Sequence, residues 1–298
     1  MLVTGKGGVG RSSVTAALAQ LARARGRRVL VTEIGDAPED YSPLARYFGR
    51  DRFSVEPQVL EPGLRGVVLL ARTGQELFLK SVLRSGTIAR AALSSDVLRR
   101  LLSAGPSFRE MGVFFQLLTY LRAQHADGKP EYELILVDMP ATGHTLSLTG
   151  LPDLLLKLVP RGPIAESLKE GQAYLNDPTR AAAWLVTLPE TLPVSECLEL
   201  IDGLRKTQVP IGGVMLNRMP VDPFTPAERA LLTTALGHRD VLGHESFDRP
   251  LLTQRELARL LAGTSLPVYP LPEFAHAGLI GSLKTALETI APIARSAS

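Results

Sequence analysis

Apolar positions along the chain follow two rhythms, short unbroken runs and longer stretches spaced three and four residues apart. Leu2, Val3 and Thr4 form the first run and lead straight into a glycine-rich loop. Beyond it Val14, Ala17, Leu18 and Leu21 repeat at helical spacing, with Gly26 where a C-terminal cap belongs. Val29 to Thr32 then reads as a second strand. Strand, loop, helix and strand in so short a stretch make a βαβ unit, which implies a right-handed crossover in a parallel sheet.

Later runs repeat the theme. Leu134 to Val137 is unbroken and ends at Asp138, the pattern of a strand buried on both faces; Trp184 to Thr187, Val214 to Leu216 and Val268 to Leu271 are further candidates. Helices alternate with them. Thr225, Pro226 and Glu228 form a capping box with proline at the first helical position, Thr253 with Glu256 repeats the box, and Leu279, Leu283, Leu287 and Ile290 mark a C-terminal helix. Residues from about 74 to 123 carry helical patterns with little strand character, including Leu77, Leu79, Val82, Leu83, Val113, Phe114, Leu117, Leu118 and Leu121. They read as a helical insertion, either packed on the sheet or presenting a docking surface. The expected fold is α/β, a mostly parallel central sheet flanked by helices, and the absence of repeats or linkers favours one domain over residues 1–298.

One element is out of scale. At about 3.3 Å per residue even four residues there reach only ~13 Å, short for a central parallel strand. It reads either as a truncated edge of the sheet or as a strand whose true start lies upstream of Met1.

Composition narrows the function. With 33 basic and 30 acidic residues the formal charge is +3, and the cluster Arg23, Arg25, Arg27 and Arg28 reads as a solvated face near a helix C-terminus, so no nucleic-acid partner is expected. The single cysteine, Cys197, permits no internal disulfide and no Cys-rich zinc site, and it reads as a small apolar residue on a helix beginning near Ser195. No apolar run approaches the ~20 residues that span a bilayer. A cytoplasmic protein without direct membrane insertion is expected.

The candidate chemistry lies in Gly5-Lys6-Gly7-Gly8-Val9-Gly10-Arg11-Ser12, followed by Ser13. Glycines let backbone N–H groups turn toward phosphate oxygens, and the following helix points its positive end at them. Ser12 is the expected Mg²⁺ ligand, with Ser13 beside it in the phosphate-binding set. This is the phosphate-binding P-loop pattern with one exception, Arg11 in the place of lysine. Arginine still brings charge toward the β- and γ-phosphates, on a larger and less adaptable planar fork.

Lysine directly after the first glycine, here Lys6, resembles the deviant P-loop ATPases that include the ArsA-type, MinD/ParA-type and nitrogenase-iron-protein groups. Asp138-Met139-Pro140-Ala141-Thr142-Gly143-His144-Thr145-Leu146 is similar to switch II of the ArsA-type branch, which covers arsenite-pump and tail-anchored-protein-targeting ATPases. Leu188-Pro189-Glu190-Thr191-Leu192-Pro193-Val194, with Glu196 following, resembles that branch's segment after its next strand. The resemblance implies a P-loop fold, ATP and Mg²⁺ as cofactors, and a dimer in which Lys6 reaches the partner's nucleotide. It also implies a base site at Asn217 and at Leu271 and Pro272 of the late loop. Read on chemistry, Asp138 at a strand end is placed to hold the Mg²⁺ shell through water, and His144 is either functional or a packed loop histidine.

Two departures qualify the activity. The family's switch I aspartate aligns without gaps on Gly35; Asp36, one residue on, is the replacement candidate, while Glu33 is expected at the strand end beside the magnesium shell. The chain also lacks the metalloid-binding cysteines of one branch and the Cys-x-x-Cys pair of the other, and Leu151 to Trp184 is too short for the large helical arm of a tail-anchor groove. The expectation is a dimer-forming ATPase with catalytic candidates Lys6, Arg11, Asp36 and Asp138, paired with itself or with a related ATPase and acting on an unknown protein client. The alternative is a non-hydrolysing nucleotide sensor or the inactive half of a heterodimer.

Overall fold

A computed structural model describes residues 1–83, 106–140, 142–158, 160–236, 243–275 and 277–294. Among them one eight-stranded sheet contains β1 (Leu2–Gly5), β2 (Val29–Gly35), β3 (Gln58–Glu61), β4 (Leu64–Leu70), β5 (Leu134–Asp138), β6 (Ala183–Thr187), β7 (Ile211–Met219) and β8 (Val268–Pro272). The order is β3-β4-β2-β5-β1-β6-β7-β8, and every neighbouring pair is parallel except the β3–β4 hairpin at one edge. The described helices are α1 (Arg11–Ala24), α2 (Pro43–Arg46), α3 (Ala71–Leu83), α4 (Pro106–Arg122), α5 (Thr142–Leu158), α6 (Pro163–Asn176), α7 (Thr191–Lys206), α8 (Pro226–Leu236), α9 (His244–Gly263) and α10 (Leu279–Thr289).

Alternation along the strands feeds two cores. Leu2, Leu30, Val137 and Leu185 face a layer that includes Val113 and Phe114 of α4, Leu151 of α5 and Leu204 of α7. Val3, Val31, Leu136 and Val186 face Val14 and Ala17 of α1, Leu44 of α2 and Leu283 of α10. Each fully buried leucine contributes about 1.5–3 kcal/mol by leaving water, so both layers hold the central strands.

β1 is short, yet it is no edge strand. It lies between β5 and β6, and all of Leu2 to Gly5 pair with Ala183 to Val186. Its length is set by the loop that must begin where β5 ends, beside Asp138.

Three other expectations need correction. Strands β3 and β4 lie where the apolar pattern assigned none, and β4 runs directly into α3. Thr253 and Glu256 do not start a helix; both are buried inside α9, where Glu256 Oε1 accepts from the Thr191 hydroxyl at 3.0 Å and ties α9 to the start of α7. Helix α7 begins at Thr191 rather than near Ser195, and its Cys197 is buried in the core with the thiol pushed up to about 12 by burial. The Thr225 box holds as expected, with Glu228 accepting from the Thr225 amide at 2.8 Å.

The helical insertion is represented by α3 and α4, which cross so closely at Gly74 and Gly112 that a Cβ on either would strike the other helix's backbone. Val113, Phe114, Leu117 and Leu118 of α4 are core residues. The side chains of Leu79, Val82 and Leu83, like residues 84–105 and the side chain of His144, fall outside the described set. No described helix is long and apolar enough to cross a membrane.

Candidate functional site

The glycine loop leaves β1 and enters α1 at the carboxyl ends of the parallel strands, where open α/β sheets bind ligands. Gly10 caps α1 in the left-handed conformation at φ 87°, and no side chain caps that end. A Cβ at Gly10 would collide with the Asn217 amide nitrogen, so glycine is required by conformation and by space. A Cβ at Gly7 or Gly8 would meet nothing within 4 Å, which leaves the loop's outer rim open. The first turn of α1 holds no acidic side chain. An uncapped helix end without a competing carboxylate in its first turn, behind an open glycine rim, suits a phosphate anion.

Three predicted residues meet at this loop. Ser12 Oγ donates to Asp138 Oδ2 at 2.5 Å, and Arg11 Nε donates to Asp138 Oδ1 at 2.8 Å. Arg11 Nη1 also donates to the Gly5 carbonyl at 2.9 Å. The contact exists because β5 pairs directly with β1, with Val3 in register with Asp138. Burial pushes the Asp138 carboxyl above the usual carboxylate range, and the Arg11 charge with the Ser12 hydroxyl pulls against that shift. A hydroxyl and a carboxylate side by side, facing an open phosphate cradle, are oxygen donors of the kind Mg²⁺ takes, so these residues fit Mg²⁺ with a nucleotide.

Other predicted residues stand apart from that cluster. Lys6 Nζ donates to Glu196 Oε1 of α7 at 2.6 Å. Asp36 is turned outward, with its side chain 68% exposed and ion-paired to Arg109 of α4. Ser13 is buried and donates its hydroxyl to the Gly10 carbonyl at 2.8 Å, closing the first turn of α1. Asn217 is buried too, its Nδ2 donating to the carbonyl of Val9 at 2.9 Å. Of the late pair, Pro272 is exposed but Leu271 is 0% exposed, because alternation along β8 turns it into the core. In this structure Leu271 presents no surface to a base.

The segment that resembles switch II adds a link that the motif alone does not reveal. Thr145, in the first turns of α5, shares a 2.8 Å hydrogen bond with Thr4 of β1, and both hydroxyls are buried. Glu33 is also closer to the centre than a strand-end position suggests. It pairs in register with Asp138 across β2 and β5, its carboxyl bonds the Ser42 hydroxyl, and burial raises it to about 7. Sequence reasoning missed Ser42 and Arg109 because neither belongs to a motif. Between switch I and α4 lies a cavity of about 230 Å³ whose walls include Ile34, Asp36, Arg109, Val113 and Leu148.

The sequence profile of the anion-transporting ATPase (ArsA_ATPase) family matches residues 1–162. ATPase BagA of Mycobacterium tuberculosis (strain ATCC 25618 / H37Rv) is 29% identical over 316 aligned positions, covering 97% of this chain and 92% of that protein. The arsenical pump-driving ATPase of Acidiphilium multivorum is 26% identical over 287 positions, 89% of this chain and 44% of that longer protein. The ATPase ASNA1 homolog of Entamoeba histolytica is 24% identical over 284 positions, 81% of this chain and 84% of that protein. The profile match takes in the glycine loop, Asp138 and α5, and the chain belongs to the anion-transporting ATPase (ArsA-type) family.

Proposed function

We propose that the chain is a Mg²⁺-dependent ATPase that dimerises, changes conformation with nucleotide state and acts on a protein client in the cytoplasm. The observation that carries this reading is the convergence of Ser12, Arg11 and Asp138 at the mouth of the glycine loop. When bound, Mg²⁺ would neutralise phosphate charge during phosphoryl transfer. The chain's own part is positional. Main-chain N–H groups of the loop would orient the phosphates, while Ser12 and Asp138 are the residues that would hold the metal. Arg11 brings positive charge, and Lys6 extends toward a second subunit once it leaves Glu196. The hydrogen bond between Thr4 and Thr145 couples the loop's strand to switch II, a route by which phosphate contacts bias the position of α5.

A second reading, a nucleotide sensor or the inactive half of a heterodimer, is favoured by switch I. At Gly35 even a Cβ would lie 3.0 Å from Val68 Cγ2 and 3.3 Å from Leu70 Cδ2, so the site has no ready room for a carboxylate. Asp36 serves in its place only after release from Arg109. Steady-state phosphate release with Mg²⁺-ATP, alongside a direct ATP titration, decides between the readings. Turnover that disappears in Asp138→Asn and Lys6→Ala is the expected result; ATP binding without turnover in the wild-type chain would select the sensor. A Ser12→Ala chain whose turnover needs no higher Mg²⁺ concentration than the wild type's would remove Ser12 from the metal's shell.

A further inference from the structure

Arg11 stands where a P-loop carries lysine, and its fork is anchored at two points, Asp138 Oδ1 through Nε and the Gly5 carbonyl through Nη1. A guanidinium has five N–H donors in a rigid plane, so these bonds leave more than half of its donors for other acceptors. Nη2 donates to no protein group among the described residues. An ammonium carries its three donors on one nitrogen, so it serves a carboxylate and a phosphate together only where both lie within reach of that one atom. The guanidinium spreads its donors over three nitrogens, so Nε can stay on Asp138 while the outer edge of the fork keeps donors to offer a phosphate oxygen.

The consequence is electrostatic. Asp138 is buried and both of its oxygens are taken, one by Arg11 and one by Ser12. A buried carboxylate needs a counter-charge, and here the chain supplies it. Arg11 therefore links Asp138 to a phosphate in the way a divalent cation otherwise would. We infer that Arg11 makes nucleotide binding at this loop independent of divalent cations: the loop captures a metal-free nucleoside triphosphate, and Mg²⁺ is needed only afterwards, for turnover. The inference rests on the reading of the loop as an ATP site.

The test is a pair of calorimetric ATP titrations of the full chain, one in excess EDTA and one in saturating Mg²⁺, repeated with Arg11→Lys. Wild-type affinities within about threefold of each other are expected, whereas the lysine variant should weaken about tenfold or more in EDTA, the scale of one charged hydrogen bond. A wild-type affinity that falls about tenfold in EDTA overturns the inference and leaves the ATP reading standing. A lysine variant as insensitive to metal as the wild type overturns the assignment to Arg11. Absence of binding in both buffers overturns the ATP reading itself, and the inference with it. The wild-type pair needs no variant, so it decides the matter even if the lysine chain fails to fold.

Discussion

Lys6 Nζ lies 2.6 Å from Glu196 Oε1, so the lysine that family resemblance sends toward a neighbouring subunit is held by a helix of its own chain. The two side chains are 36% and 30% exposed, and ion pairs so open to solvent contribute about 0–1 kcal/mol. A tie of that strength restrains Lys6 without locking it.

Releasing Lys6 should therefore favour association. Glu196→Gln removes the charge while keeping the side chain's size, and it is expected to tighten ATP-dependent self-association by up to about fivefold, the factor that corresponds to such a pair. Sedimentation equilibrium with and without ATP measures this. An association constant that ignores the substitution would mean that the Glu196 tie does not restrain association.

Asn217 has one observed contact and one proposed task, and a single substitution separates them. Its Nδ2 is spent on the Val9 carbonyl, which ties β7 to the glycine loop, while its oxygen is the group suited to accept from an adenine amino group. Asn217→Ala is expected to lower unfolding stability by about 1–3 kcal/mol, because it leaves a buried carbonyl unpaired, and to reduce the preference for ATP over GTP. Urea denaturation reads the first effect and competitive nucleotide titrations the second. Equal weakening of both nucleotides would leave Asn217 as a tether only.

Glu33 makes stability depend on pH in a defined direction. Burial is the main cause of its rise from an ordinary 4.5 to about 7; the Ser42 hydroxyl and Leu44 amide oppose the rise, and the Asp138 charge adds to it. Between those pH values the folded chain holds a proton that the unfolded chain releases, so this contribution is complete below about 4.5, declines as pH rises and is gone above about 7. The full difference is worth on the order of 3 kcal/mol. Glu33→Gln keeps one acceptor oxygen for the Ser42 hydroxyl, gives up the one that takes the Leu44 amide and cannot ionise, so its stability relative to wild type should improve from pH 5 to pH 8. A wild-type and variant pair whose urea midpoints move in parallel across that range would show that Glu33 titrates normally.

Much of the candidate phosphate site was legible because its information is local. The glycine spacing, Ser12 and the run ending at Asp138 each depend on a few consecutive residues whose backbone conformation or burial pattern admits little else. The same holds for α1, α10 and the Thr225 box, where periodicity and a cap lie within one or two turns. Strand β4 escaped because Gly66 and Arg65 interrupt its apolar run and no turn residue separates it from α3. Its partner β3 escaped because it is half exposed, with Val59 open to solvent. Thr253 and Glu256 imitate a helix start because a capping box and a buried polar contact use the same residue types.

By itself, then, the sequence determined the alternation of strands and helices, the phosphate loop and the family to which the chain belongs. Only the tertiary structure decided what each charged residue holds. Arg11 and Asp138 are 127 residues apart, Lys6 and Glu196 are 190 apart, and Asp36 meets Arg109 from a different helix. Such partners are chosen by strand order, which places β5 and β6 on either side of β1, and by the packing of α4 and α7 against the sheet. Strand order follows from burying every apolar face at once, a condition on the whole chain that no short window of residues contains.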